Sequence, residues 1–196
     1  MTHMGFVTNW FLLGPFDAPG TTGFELVLPP EKQVKTTVNL AATYAGKGGG
    51  RIKWTRHQSG DRFGQSNLNA AIAAVKEAVG YAYTEVISPR KQSVQIRCGA
   101  DDNITIWLNG KRVLRRLQGL NGTRLDRFRA AVTLKKGRHR MLVKVCQGPQ
   151  HKNPAVPNNW SLQLRFCDAA GGSVGVTSGL PEVARKNAAV SRESSR

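Results

Sequence analysis

The chain has 196 residues, 40% of them hydrophobic and 21 of them glycine, which is enough for one substantial domain rich in turns. Lys and Arg number 29 against 12 Asp and Glu, so the net charge of +17 favours anionic partners. No apolar run approaches the ~18 residues of a membrane helix, so we expect no membrane span. Residues 1–5 lack the features of a signal peptide, so we expect none in this chain.

Segments with a two-residue period predict β-strands along most of the chain. Residues 1–8 are predicted to be a leader or cloning remnant, and the first strand follows as an apolar run that stops at Gly14-Pro15. Further strands are predicted at 51–56, 81–87, 92–98, 104–109, 128–134, 141–146 and 160–166, with a return strand that begins at Val113. The Ala-rich stretch 67–77 is the one predicted helix, with Asn67 as its cap.

The central hairpin shows the pattern most clearly. Ile104, Ile106 and Leu108 alternate with polar or aromatic neighbours, and Asn109-Gly110 is a strong signal for a two-residue hairpin turn. Alternation disfavours a parallel sheet, whose strands are apolar throughout. The sequence therefore predicts an all-β fold, an antiparallel β-sandwich with one short helix over residues 9–172, followed by a disordered basic tail at 173–196.

Catalysis has little support in the sequence. There is no nucleophile elbow, zinc-protease motif or P-loop, and the glycine-rich turn at 46–50 lacks the spacing of a phosphate cradle. Cys98, Cys146 and Cys167 show no CxxC spacing, which disfavours a zinc site. Two interpretations stay open for these cysteines: small core residues, or one disulfide plus a free thiol. We expect a protein that is not an enzyme.

Positive charge is concentrated in the second half of the chain. Residues 111–152 contain thirteen Lys or Arg and one acid, Asp126, which accounts for +12 of the +17. Such a field would attract nucleic acids, anionic lipids, acidic polysaccharides or an acidic protein. Solvated faces of ordinary strands are the alternative, and no RNA-binding signature accompanies the charge.

Several motifs resemble those of galactose-binding-like jelly-roll modules, which occur in large secreted or envelope-associated bacterial proteins. They are WFLLGPF at 10–16, YAGKGG at 44–49, GADD at 99–102, WLNGK at 107–111, and LKKG at 134–137 running into LVKV at 142–145. The resemblance covers roughly residues 9–172. It departs from the usual pattern at 138–140, where Arg-His-Arg replaces a Trp-Asn pair.

The resemblance implies a non-catalytic carbohydrate-binding or adhesion module, with an extracellular or envelope location. The paired aspartates are also similar to those of calcium-dependent lectins, which makes Asp101, Asp102 and Asn103 candidate Ca²⁺ ligands. Calcium takes six to eight oxygen ligands, so three side chains form the nucleus of a site and not a full shell. The alternative is that Asp101 and Asp102 cap and tighten the turn through Asx hydrogen bonds to nearby N–H groups.

Candidate ligand-contacting residues are Trp107, Asn109, Tyr83 and Arg124. The alternation places Trp107 opposite the isoleucines, either on an outer face where it could stack on a sugar or packed under a flanking loop, and Tyr83 has the same ambiguity. The leading hypothesis is a glycan- or polysaccharide-binding module, with or without Ca²⁺. The alternatives are a basic polyanion- or nucleic-acid-binding protein and a structural subunit that meets an acidic partner.

Overall fold

The computed structural model describes residues 1–119, 122–153, 155 and 158–181. These residues form two antiparallel sheets packed face to face, which confirms the β-sandwich predicted from the two-residue period. Among them, no helix combines the length and the apolar character needed to cross a membrane.

The described residues form thirteen strands and two short helices. In chain order the strands are β1 (Asn9–Asp17), β2 (Thr43–Ala45), β3 (Arg51–Lys53), β4 (Thr55–Gln58), β5 (Ser66–Asn67), β6 (Ala78–Ser88), β7 (Gln92–Asp101), β8 (Asn103–Leu108), β9 (Lys111–Arg116), β10 (Phe128–Leu134), β11 (Gly137–Gln147), β12 (Ser161–Cys167) and β13 (Thr177–Gly179). The helices are α1 (Pro29–Lys32) and α2 (Leu68–Ala71), and single 3₁₀ turns lie at Thr22–Phe24 and Lys47–Gly49.

The larger sheet has seven strands in the order β4-β1-β6-β11-β8-β9, and β13 pairs with the part of β6 beyond β1. The smaller sheet has four strands in the order β10-β7-β12-β5, and β2 and β3 form a separate ribbon. The predicted segment 51–56 is therefore divided between β3 and β4, which belong to different sheets.

Alternating side chains from both sheets meet in the main core. Strand β12 contributes Leu162, Leu164 and Phe166, all buried, and Ile104 and Ile106 face them from β8. The cysteines are also buried and unpaired, so the interpretation with a disulfide is wrong and the one with core residues is confirmed.

The larger sheet is covered on its outer face as well. Residues 18–54, which we term the covering segment, place Phe24, Val38 and Trp54 in a second apolar cluster against that face. Trp54 packs edge-on to Tyr83, with ring centroids 6.4 Å apart. Because both faces are covered, the central strands of this sheet have few exposed positions.

Three predicted boundaries are corrected by the structure. Residues 1–8 are not a detached leader, because Phe6 and Val7 are buried and the Val7 N–H donates to the Leu164 carbonyl over 2.9 Å. The predicted tail at 173–196 begins too early, because β13 pairs with β6; residues 182–196 lie outside the described residues. The predicted helix at 67–77 is too long. The observed helix is the single turn Leu68–Ala71, capped by Asn67, because the chain then continues to β6, which begins at Ala78.

Candidate functional site

The Asp101–Asp102 turn joins β7 to β8 at one end of the sandwich, and both side chains are buried. The peptide bond between them is cis. The Gly148 N–H donates to Asp102 Oδ2 over 2.7 Å. The other oxygen, Asp102 Oδ1, is buried and has no hydrogen-bond partner among the described residues. An ionised carboxylate oxygen in this position requires a compensating positive charge or a proton.

Burial, together with the hydrogen bond and charge repulsion from the adjacent carboxyl of Asp102, raises the pKa of Asp101 to about 8. The positive charge of Lys76 and the N–H of Gly122 act in the opposite direction. Two buried carboxyls side by side cannot both ionise cheaply. Burial and the neighbouring carboxyl therefore both favour the protonated form of Asp101.

Two cavities lie beside this turn. The larger, about 260 Å³, is lined by polar side chains that include Gln65, Asn67 and Asn69, and also by Ser161, whose backbone pairs with Asp101. The smaller, about 120 Å³, is lined by Asp102, Asn103, Gly119, Gln147 and Gly148, among others. Asp102 therefore lines the smaller cavity, and the larger cavity adjoins the turn through Ser161, the backbone partner of Asp101.

Amide oxygens without partners occur in both cavities. Gln147 Oε1 and Asn69 Oδ1 are buried and lack hydrogen-bond partners among the described residues. The Gln147 amide nitrogen donates to the Asn159 carbonyl over 3.1 Å and also to Asn158 Oδ1. The Gln147 oxygen is therefore the free end of that amide, and it can accept from a ligand hydroxyl or coordinate a cation.

Asn103 has a structural role that the metal hypothesis did not anticipate. Its Oδ1 accepts hydrogen bonds from the Gln118 N–H over 2.8 Å and the Gly119 N–H over 3.1 Å. These bonds fasten the segment after β9 to the start of β8. They are long-range bonds and not Asx hydrogen bonds within the turn, and they occupy the side-chain oxygen of Asn103.

Trp107 and Tyr83 do not reach this site. Both are buried on the outer face of the larger sheet, where Trp107 is 9% exposed and Tyr83 is 2% exposed. The Tyr83 hydroxyl donates to Glu85 Oε1 over 3.2 Å. The covering segment hides both rings, which corrects the prediction that either offers a face for sugar stacking.

Asn109 and Arg124 differ in their distance from the turn. The Asn109 side chain is bound to the β11 strand, since its Oδ1 accepts from the Arg140 N–H over 2.9 Å and its amide lies 2.8 Å from His139 Nδ1. Arg124 is exposed, on a loop that covers β7 so closely that a Cβ on Gly99 would lie 2.1 Å from the Arg124 carbonyl oxygen. Of the four ligand candidates, Arg124 is the one whose backbone lies against β7, at Gly99, two residues before Asp101.

Sequence reasoning missed Gln147 and Asn69. Both residues belong to polar stretches of the sequence. Asn69 is in the Asn-rich segment 67–69, and Gln147 is at the end of β11, where a polar loop begins. Their convergence on Asp102 and Ser161 depends on strand pairing across two sheets, which no local pattern encodes. The described residues contain no group of three or more His, Cys, Asp or Glu side chains placed to hold a metal.

Comparisons with known proteins show a distant likeness of fold. No protein-family model matches the chain, and no curated protein matches it. It is similar to the PA14 sugar-binding domain of an RTX adhesin, with 16% identity and a TM-score of 0.37 over 88% of this chain and 96% of that one. It is also similar to the PA14 domain of an antifreeze protein, with 16% identity and a TM-score of 0.37 over 54% of this chain and 55% of that one.

A β-glucuronidase from an uncultured Clostridium species is similar over 84% of this chain, with 13% identity and a TM-score of 0.45. This chain spans 30% of that enzyme's length. Likenesses this distant carry no argument about the function of this chain.

Proposed function

We propose that this chain is a non-catalytic carbohydrate-binding module whose ligand site is the end of the sandwich around Asp101 and Asp102. The observation that carries the proposal is the pair of consecutive buried carboxyls, of which Asp102 lines a cavity and has one oxygen without a hydrogen-bond partner among the described residues. Adhesion to a glycan or polysaccharide in the cell envelope or outside the cell is the role that follows for such a module.

The chemistry of the two cavities suits sugar hydroxyls. A hydroxyl both donates and accepts, so neighbouring hydroxyls are matched by carboxylates and amides, which supply acceptors and donors in fixed positions. Asn67, Asn69 and Gln65 supply amides on one side of the turn, and Gln147 supplies an amide oxygen on the other. A ligand that left these buried groups unpaired would bind much more weakly.

Calcium is the cofactor that the residues fit. The two aspartates and the unpartnered oxygen of Gln147 are hard oxygen donors, the kind of ligand that Ca²⁺ prefers. A bound Ca²⁺ would neutralise the carboxylates and coordinate hydroxyl oxygens of the sugar. The remaining groups of this chain bind and orient the sugar by hydrogen bonds, and no bond of the ligand is broken.

A glycan array followed by calorimetric titration tests the proposal. We expect one class of glycan to bind in millimolar Ca²⁺, and we expect Asp102→Asn and Asn69→Ala each to weaken that binding at least tenfold. Asp168→Asn is the matched control, because Asp168 lies in an exposed turn at the opposite end of β12. Absence of glycan binding with and without Ca²⁺, or Asp102→Asn binding as tightly as the control, would overturn the proposal.

A further inference from the structure

On one side of the sandwich, an edge strand of the larger sheet lies beside an edge strand of the smaller sheet. Strand β9 is the last of the larger sheet and β10 the last of the smaller, and among the described residues neither has a second strand partner. Residues of both strands line a groove of about 580 Å³ between them. An unpaired strand edge presents repeating N–H and C=O groups that another strand can pair with.

Two of the residues that line this groove are basic. Lys111 and Arg112 on β9 are exposed, and neither makes a side-chain hydrogen bond, ion pair or ring contact with the described residues. Asp126, the one acid within residues 111–152, is bound by Arg97 and Arg165 instead. The positive charge that the sequence concentrates in this region is therefore uncompensated at the groove.

The floor of the groove is apolar. Val113 and Val132 line it, and both are half-buried against the main core. At Val113 the pairing of β9 with β8 shifts register, since Leu114 faces Ile106 but Arg112 faces Trp107. Basic side chains and bulges on an edge strand discourage its pairing with an identical edge. The same basic side chains are complementary to a strand that carries negative charge.

Two other occupants are disfavoured by charge. A second copy of this chain would bring the same Lys and Arg side chains against their equivalents. The chain's own residues 182–196 contain four Lys or Arg and two Glu, so that segment is basic as well. The occupant must be an acidic chain of another molecule.

We propose that the β9–β10 groove binds an extended acidic segment of a partner protein, which adds a strand to this side of the sandwich. Main-chain hydrogen bonds to a strand edge supply affinity, and alternate side chains supply specificity. Here carboxylates of the segment pair with Lys111 and Arg112, and its apolar side chains lie on Val113 and Val132. An acidic polysaccharide matches the charge but lacks the amide groups that repeat every ~3.3 Å along a strand.

The test is fluorescence anisotropy in 0.15 M salt with a labelled octapeptide of alternating Glu and Val. We expect it to bind, and we expect N-methylation of its alternate amides, which keeps the charge and removes N–H donors, to weaken binding at least tenfold. The variant Lys111→Glu/Arg112→Glu should weaken binding to a similar extent. Lys32→Glu/Lys53→Glu is the matched control, with the same change in net charge at exposed sites on the covering segment.

Thermal unfolding of both double variants shows whether each is folded at the temperature of the titration. The proposal is overturned if the Glu–Val peptide does not bind the wild-type chain, if its N-methylated form binds as tightly, or if both double variants bind it equally. It is also overturned if polygalacturonate binds at Lys111 and Arg112 more tightly than the peptide, because the groove would then be a polysaccharide site.

Discussion

Asp101 and Asp102 differ from every other acidic pair in the described residues, because they are consecutive and both buried. Burial and mutual repulsion oppose double ionisation, so near neutral pH the native turn retains a proton that an unfolded Asp would release. A group whose pKa is raised on folding stabilises the native state below its unfolded pKa. That contribution is lost as the pH rises through the folded value, here about 8.

Without Ca²⁺, we therefore expect the unfolding temperature of the wild-type chain to fall between pH 5 and pH 8 by more than that of Asp101→Asn. Calcium competes with the proton, so the stabilisation by millimolar Ca²⁺ should increase over the same pH interval. Differential scanning fluorimetry at several pH values measures both effects. An equal pH slope in the wild type and Asp101→Asn would show that Asp101 does not retain the proton.

At the scale of elements, the covering segment is fastened to the larger sheet by a buried ion pair. Lys144 on β11 is 1% exposed, and its Nζ lies 2.8 Å from Glu31 Oε1 of α1 and 2.5 Å from the Leu26 carbonyl oxygen. The Tyr81 hydroxyl donates to the same Glu31 oxygen over 2.5 Å. These bonds satisfy two polar groups that the outer face of an apolar sheet would otherwise leave buried without partners.

Removal of one partner from such a pair leaves the other charge buried, so we expect Lys144→Met to lower the free energy of unfolding by about 3–5 kcal/mol. The double variant Lys144→Met/Glu31→Gln should cost less than the sum of the two single variants. Urea unfolding measures both. The exposed pair of Lys47 and Asp17 is the control, and Asp17→Asn should cost about 0–1 kcal/mol. If Lys144→Met costs no more than Asp17→Asn, this ion pair does not hold the covering segment.

At the scale of the whole molecule, the two-residue period was sufficient to predict the sandwich, because side chains that alternate along a strand record which face is buried. The period placed Val94, Ile96 and Cys98 inward, and the structure confirms this. It could not show that a separate stretch of chain covers the outer face. For that reason Trp107 and Tyr83, which alternate as outward residues, were candidates for ligand contact although both are buried.

The site was predictable only in part, for a similar reason. Two consecutive aspartates at a strand boundary are a local signal, and the sequence identified them. Asn69 and Gln147 come close to them because β12 pairs with β7 and β5 and because β11 runs beside β8. Such convergence depends on the order of strands in each sheet. The period of a single strand carries no information on that order.

Calorimetric titration of Ca²⁺ into the metal-free protein at pH 7.5 is the most direct measurement of the central claim, that the buried carboxyls at this end of the sandwich form a cation-dependent sugar site. We predict one Ca²⁺ bound per chain, no binding to Asp101→Asn/Asp102→Asn, and unchanged binding to the control Asp168→Asn. Equal Ca²⁺ binding by the double variant and the control, or no binding by the wild-type chain, would contradict the account.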